Sequence, residues 1–185
     1  MSDSENKGKQ IYRLAEKIFP ICRSITGDGV RETLSILSEY IDDFTTDFKL
    51  KICQVPSGTK VFDWTIPKEW SIREAYIENE TGERIIDFGD HNLHVMGYST
   101  PIDKWVELEE LKKHIYTEPK QPDVIPYVTS YYKESYGFCM SENLKNSLPS
   151  GRYHMYIDSE LFDGNLTYGE IIVPGECKDE IFIST

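Results

Sequence analysis

His91-Asn92-Leu93-His94, with Asp87 and Asp90 just upstream, is the stretch of this sequence whose residue types most resemble a metal-ligand set. Two histidines three residues apart share one face of a helix and can converge on one ion. This stretch reads instead as a short strand, in which residues three apart point to opposite faces. Both histidines are therefore expected at the surface, hydrogen-bonded, with no metal. His114 and His154 stand alone and are expected to pack or hydrogen-bond. Between Asp158 and Glu180 the carboxylates Asp158, Glu160, Asp163, Glu170, Glu176, Asp179 and Glu180 are faced by one base, Lys178. A pair of them could exchange protons with a substrate, but a run of like charge reads as a solvated face. Gly27-Asp28-Gly29, ahead of a helix, could hold an anion at the helix N-terminus. Asp28 would repel that anion, so it is expected to cap the helix. Cys22, Cys53, Cys139 and Cys177 form no C-x-x-C and have no neighbouring histidine, which suggests reduced packing thiols.

The elements that must carry these groups follow from periodicity. Ile11, Leu14, Ala15, Ile18 and Phe19 make one helical stripe ended by Pro20. Val30, Leu34, Leu37, Ile41 and Phe44 make a second. Phe48, Leu50 and Ile52 alternate with Lys49 and Lys51, as in a half-buried strand. From Pro56 the character changes: Trp64 and Trp70, then short strands at Tyr76–Ile77 and Arg84–Phe88 joined by the turn Asn79-Glu80-Thr81-Gly82. Asn92 to Tyr98 reads as another strand, and Glu107 to Ile115 as a helix. Pro119, Pro122 and Pro126 mark an extended linker. Then come a strand-like Tyr127–Tyr132, a short helix capped by Ser141, and the alternating Tyr153, Met155 and Ile157. Two apolar runs close the chain, Ile171-Ile172-Val173 and Ile181-Phe182-Ile183. The pattern gives an α/β framework over residues 1–55, a β-rich inserted module over 56–125, and a return to the framework sheet over 126–185.

The chain has 185 residues, with 20 basic against 32 acidic side chains and a net charge of −12. That balance, without a Lys/Arg cluster, excludes a cationic footprint for nucleic acid or an anionic membrane surface. No apolar run approaches the roughly 20 residues of a membrane span, and residues 1–10 lack a signal-peptide core. A cytoplasmic protein is expected.

Several irregular phrases go further than composition. Phe19-Pro20-Ile21-Cys22-Arg23-Ser24-Ile25-Thr26-Gly27-Asp28-Gly29-Val30 is one, and Val55-Pro56-Ser57-Gly58-Thr59-Lys60-Val61-Phe62-Asp63-Trp64 another. With His91-Asn92-Leu93-His94-Val95, Pro126-Tyr127-Val128-Thr129-Ser130-Tyr131-Tyr132, Gly137-Phe138-Cys139 and Gly169-Glu170-Ile171-Ile172-Val173-Pro174-Gly175-Glu176, they resemble the bacterial aminopeptidase-like family found in polysaccharide-biosynthesis contexts. The resemblance covers nearly all of residues 11–185. It implies a phosphorylase/hydrolase-like (zinc aminopeptidase-type) framework interrupted by a β-rich module. It also implies hydrolysis of peptides or small amino-acid conjugates on two zinc ions, which activate water and clamp the oxyanion. In the family the early metal ligands follow the phrase ending Ile-Ser-Thr, where this sequence stops at Thr185. No catalytic or metal-binding residue is therefore carried over.

Arg23, Tyr131 and Tyr132 remain as candidates to line a substrate cleft, because irregular loop phrases often host function. Their structural alternative is Arg23 paired with an acid and the tyrosines packed between module and framework. Two functional readings stand. One is the N-terminal portion of a zinc-dependent aminopeptidase-like protein, inactive alone, with zinc bound only by the full-length family. The other is a stand-alone binding or scaffolding domain. Under the first, Ile181-Phe182-Ile183 is an uncovered strand through which the chain self-associates.

Overall fold

The computed structural model describes residues 3–177 and 179–184. Lys178, the base expected to face the closing run of acids, lies outside them. Helices α1 (Asp3–Ile18) and α2 (Asp28–Phe44) lead into β1 (Lys51–Pro56). The α1 stripe is less covered than its spacing suggests: Leu14 and Ile18 are half-buried, while Ile11 and Phe19 are exposed. The first strand runs 51–56 rather than 48–52. It pairs antiparallel with β10 (Asn165–Glu170), and α2 packs on that ribbon. A Cβ on Gly169 would lie 2.8 Å from Leu50 Cδ1 and 3.0 Å from Leu34 Cδ2, so glycine lets the helix side approach the strand.

Between β1 and β10 lies the rest of the molecule. A small hairpin, β2 (Lys60–Val61) and β3 (Trp64–Thr65), projects the exposed Phe62. Then β4 (Glu69–Asn79), β5 (Arg84–Asp87), β6 (Ile102–Glu107) and, after the short elements α3 (Leu108–Leu111), β7 (Ile115–Tyr116), β8 (Phe138–Cys139) and α4 (Glu142–Ser147), β9 (Arg152–Phe162). Four of these strands form one antiparallel sheet in the order β5-β4-β9-β6. The β4–β5 turn forms as expected, with Asn79 Oδ1 accepting from the backbone N–H of Thr81 and Glu83, both at 3.0 Å. Ala75, Ile77, Ile86, Val106, Tyr153, Met155 and Ile157 cover the inner face of the sheet. Leu111, Ile115, Phe138 and Met140 close the core over them. The chain is thus a mixed α/β protein with several small sheets, in which, among the described strands, β7 and β8 form the one parallel pair.

The expected module boundary at residue 125 lies in the connection between β6 and β9, two neighbouring strands of this sheet. Pro56 and Asn165 face each other across the β1–β10 ribbon, so residues 57–164 are one excursion from it. The alternation in β9 is local and legible, but its partners β4 and β6 are not, and they belong to the segment assigned to the module. Asn92–Tyr98 is not a strand either. Asn92–His94 forms a 3₁₀ turn, and Val95, Gly97 and Ser99 make single bridges to Phe138, Thr129 and Ser135. Tyr127–Tyr132 contributes only that Thr129 bridge. The expected helix from Glu107 shortens to α3 plus a 3₁₀ turn, with Leu108, Leu111 and Ile115 buried as their spacing requires. Ile171-Ile172-Val173 and Ile181-Phe182-Ile183 are exposed and form no strand. A strand apolar on both faces needs neighbours on both sides, and the described residues supply none. No described helix is long and apolar enough to cross a membrane.

Candidate functional site

The loop from Phe19 to Gly29 meets β4 and the Phe88–Asn92 loop in a cleft of about 480 Å³. Trp70, Ser71 and Ile72 of β4 form one wall, Phe88 to Asn92 another, and the first turn of α2 the third. Hydrogen bonds of the Thr26 hydroxyl fix this junction. It accepts from the Trp70 backbone N–H at 3.2 Å and lies 2.5 Å from the Tyr98 hydroxyl. The Trp70 indole donates to the Ser99 carbonyl at 2.9 Å and stacks on Tyr98, with ring centroids 5.9 Å apart. Burial of Tyr98 raises its pKa against the hydrogen bond it shares with Thr26, so the phenol stays neutral. Gly27 sits at φ +92°, and a Cβ there would come 2.7 Å from the Trp70 carbonyl oxygen. Close backbone contact therefore requires glycine at that point.

Asp28 does not cap α2: the N-cap is Gly27, without a side-chain cap. Asp28 instead pairs with Arg31 at 2.6 Å, and Arg31 Nη2 reaches Glu69 Oε1 at 2.5 Å. Glu69 is 3% exposed, and its other oxygen accepts from the Asn165 backbone N–H at 3.0 Å. Burial alone would raise the Glu69 pKa; Arg31 and that N–H overcome it and hold the carboxylate below its usual range. One buried acid thereby ties α2, β4 and the chain's return into β10.

Among the described residues, the cleft is lined by the carboxylates of Asp28, Glu32 and Asp90 and by no lysine or arginine. Burial pushes the Cys22 thiol up to about 11 despite Arg23 beside it, so it is no thiolate nucleophile near neutrality. His91 Nδ1 accepts from the Leu93 backbone N–H at 3.1 Å. His94 Nδ1 lies 2.9 Å from the Cys139 carbonyl and donates to it, and burial lowers the pKa of that ring. The two rings are 5.8 Å apart, and each spends a nitrogen on backbone. Among the described residues no group of three or more His, Cys, Asp or Glu could hold a metal ion. These residues do not fit a zinc pair.

The three residues expected at a cleft are placed around this junction but not in the cleft. Arg23 is exposed, and its guanidinium donates to the Ile18 carbonyl at the end of α1 rather than to an acid. With Tyr127 and Asn92 it lines a crevice of about 30 Å³ on the other side of Cys22 and Trp70. Tyr131 packs edge-on against Tyr98 at 5.7 Å, behind the Trp70 wall. Tyr132 leans on Tyr131 and is exposed. Sequence reasoning passed over Thr26, Arg31, Glu69 and Tyr98, whose roles arise from partners distant in the chain.

The outer face of the sheet carries a second cluster. His154 Nδ1 is 3.1 Å from Glu78 and Nε2 is 2.7 Å from Asp103, while the ring stacks on Trp105 at 5.0 Å. The expected packing role of His154 is thus joined by an ionic one. Nearby, Asp158 and Glu160 are paired by Arg73 from β4, which leaves no free carboxylate pair at that point.

Residues 69–160 match a domain of unknown function, DUF2172. That stretch lies within the 57–164 excursion. The whole chain is 50% identical to a Clostridium acetobutylicum protein described provisionally as a polysaccharide biosynthesis protein with an aminopeptidase-like domain. The chain spans 41% of the length of that relative. A crystal structure at 2.37 Å of a Clostridium acetobutylicum protein, provisionally described as a peptidase, superposes with a TM-score of 0.83 at 51% identity. The match covers 90% of this chain and 38% of that one.

Proposed function

We propose, from this chain's likeness along its whole length to a protein described as carrying an aminopeptidase-like domain, that it forms the N-terminal, non-catalytic portion of a zinc-dependent peptide hydrolase of polysaccharide-biosynthesis contexts. The observation that carries the reading is the match itself: homology along the entire chain to 41% of a longer relative. In this reading α1, α2 and the β1–β10 ribbon belong to a phosphorylase/hydrolase-like framework in the cytoplasm, and residues 57–164 are its inserted module. Zinc and the catalytic acid are supplied by residues beyond this chain. The chain contributes a preformed junction whose acidic cleft, with Arg23, Tyr131 and Tyr132 on neighbouring surfaces, meets a peptide or small amino-acid conjugate.

The test pairs activity with metal. The purified chain, assayed with a panel of aminoacyl-4-nitroanilides in added zinc, is expected to give no turnover above buffer. Elemental analysis after dialysis is expected to find less than stoichiometric zinc. Chelator-sensitive turnover, or one to two tightly held zinc ions per chain, would refute the assignment. A second reading, a stand-alone binding or scaffolding domain, is favoured by one feature: the four-stranded sheet closes its own core with Phe138, Met140 and Leu111.

A further inference from the structure

We propose that the free edge of β6 is a docking strand for an extended basic peptide segment, which adds to the sheet as a fifth strand beside Trp105. β6 is the last strand in the order β5-β4-β9-β6, so among the described residues the side away from β9 faces no strand. Such an edge offers backbone donors and acceptors to a second extended chain. Strand alternation puts Asp103, Trp105 and Glu107 in one row on the outer face. The side chains of Asp103 and Glu107 are 74% and 73% exposed, and Trp105 is 40% exposed.

Edges are commonly guarded by charge, and Lys104 on the opposite face is a guard of that kind. A guard does not account for an indole at the centre of the row. The Trp105 ring lies parallel to the His154 imidazole, at 9° and 5.0 Å. That imidazole is pinned in turn by Glu78 and Asp103. The indole is therefore oriented before a partner arrives, which lowers the ordering cost of binding.

Charge selects the occupant. The acid–aromatic–acid row of Asp103, Trp105 and Glu107 complements a strand that alternates cations with aliphatic residues; Glu109 and Glu110 just beyond it are already paired with Lys112 and Lys113. Arg152 approaches Glu107 only to 3.9 Å, leaving that carboxylate able to accept from a partner. A second copy of β6 fits less well. In antiparallel self-pairing centred on Trp105, Asp103 would face Glu107, and like charges directly opposite destabilise a pair.

The probe is the peptide acetyl-Lys-Val-Lys-Val-Lys-Val-Lys-amide, titrated into the intact chain by calorimetry and tryptophan fluorescence. Saturable binding is expected, with amide exchange slowed along residues 102–107. Trp105→Ala and Glu107→Lys should each weaken it by about tenfold or more. The same peptide with glutamate for lysine, or with alternate amides N-methylated, should not bind. Both substitutions are at exposed positions, and unchanged circular dichroism would confirm folding. Absence of binding, binding indifferent to Trp105→Ala, or protection away from β6 would overturn the proposal. So would concentration-dependent pairing of β6 with itself.

Discussion

His154 is the place where a single proton should be visible in the stability of the fold. Both ring nitrogens face carboxylates, which only accept, so both must donate and the ring must be an imidazolium. Burial of the ring works against that charge, but the hydrogen bonds and charges of Asp103 and Glu78 outweigh it and raise the pKa. The other charged groups on this face include Arg84, over the Tyr76 ring and paired with Glu74 and Asp87, then Glu107, Arg152 near Trp105, and Asp158 and Glu160 paired with Arg73. A raised folded-state pKa contributes stability that is fully present below the unfolded value of about 6.5 and is lost as pH rises through the folded value. The His154 side chain is 13% exposed and Glu78 23%, so their bond is worth about 1–2 kcal/mol. Asp103 is mostly in solvent, and its share falls to about 0.5 kcal/mol. His154→Gln keeps a donor but loses the charge, and should cost about 1–2 kcal/mol at mildly acidic pH. Urea unfolding of both proteins from pH 5.5 to pH 9 measures the difference, which should stay level below about 6.5 and shrink above it. A stability gap constant across that range, or one that widens with pH, would show that His154 acts through packing alone.

Three further outcomes follow from the junction, the thiols and the uncovered segment. Glu69→Gln should destabilise by about 2–4 kcal/mol in urea, because the Arg31 guanidinium loses a buried partner. The contribution of Glu69 is present above the unfolded carboxylate value of about 4.3 and lost as pH falls through its lowered folded value, so the two proteins should converge in acid. Cys139, pushed up to about 12 by burial, and Cys22 should resist a thiol reagent in the native state, while the exposed Cys177 reacts first. Intact mass should show no native disulfide; one defined bridge would contradict the free thiols. The exposed Ile171, Ile172, Val173, Ile181, Phe182 and Ile183 should drive concentration-dependent association in sedimentation, with fast amide exchange over residues 171–184. A monodisperse monomer with that segment protected would reject it.

Local periodicity carried the elements whose signal is local. The α2 stripe, the Asn79–Gly82 turn, the Ser141 cap on α4 and the alternation of Tyr153, Met155 and Ile157 all have their cause within one or two turns of chain. Irregular phrases carried the family, because their order is specific where composition is not. The failures also have one cause. Asn92–Tyr98 and Ile181–Ile183 have strand composition, but a strand exists only when a partner meets its backbone, and partners are chosen by the global fold.

The candidate site was less legible than the fold. Sequence identified Arg23 and the Tyr131–Tyr132 pair as residues of interest; where they point was decided by packing against Ile18 and Tyr98. The cleft itself depends on Thr26 meeting Trp70 and Tyr98, and on Glu69 meeting Arg31 and Asn165. Thr26 and Glu69 are ordinary in their local sequence, and no short-range pattern marks them. Residue types and spacing determined the helices, the alternating strands and the kinship of this chain. Only the tertiary structure decided that β9 closes the four-stranded sheet and that one buried carboxylate ties β4 to α2 and β10, because both depend on hydrogen bonds between residues far apart in sequence.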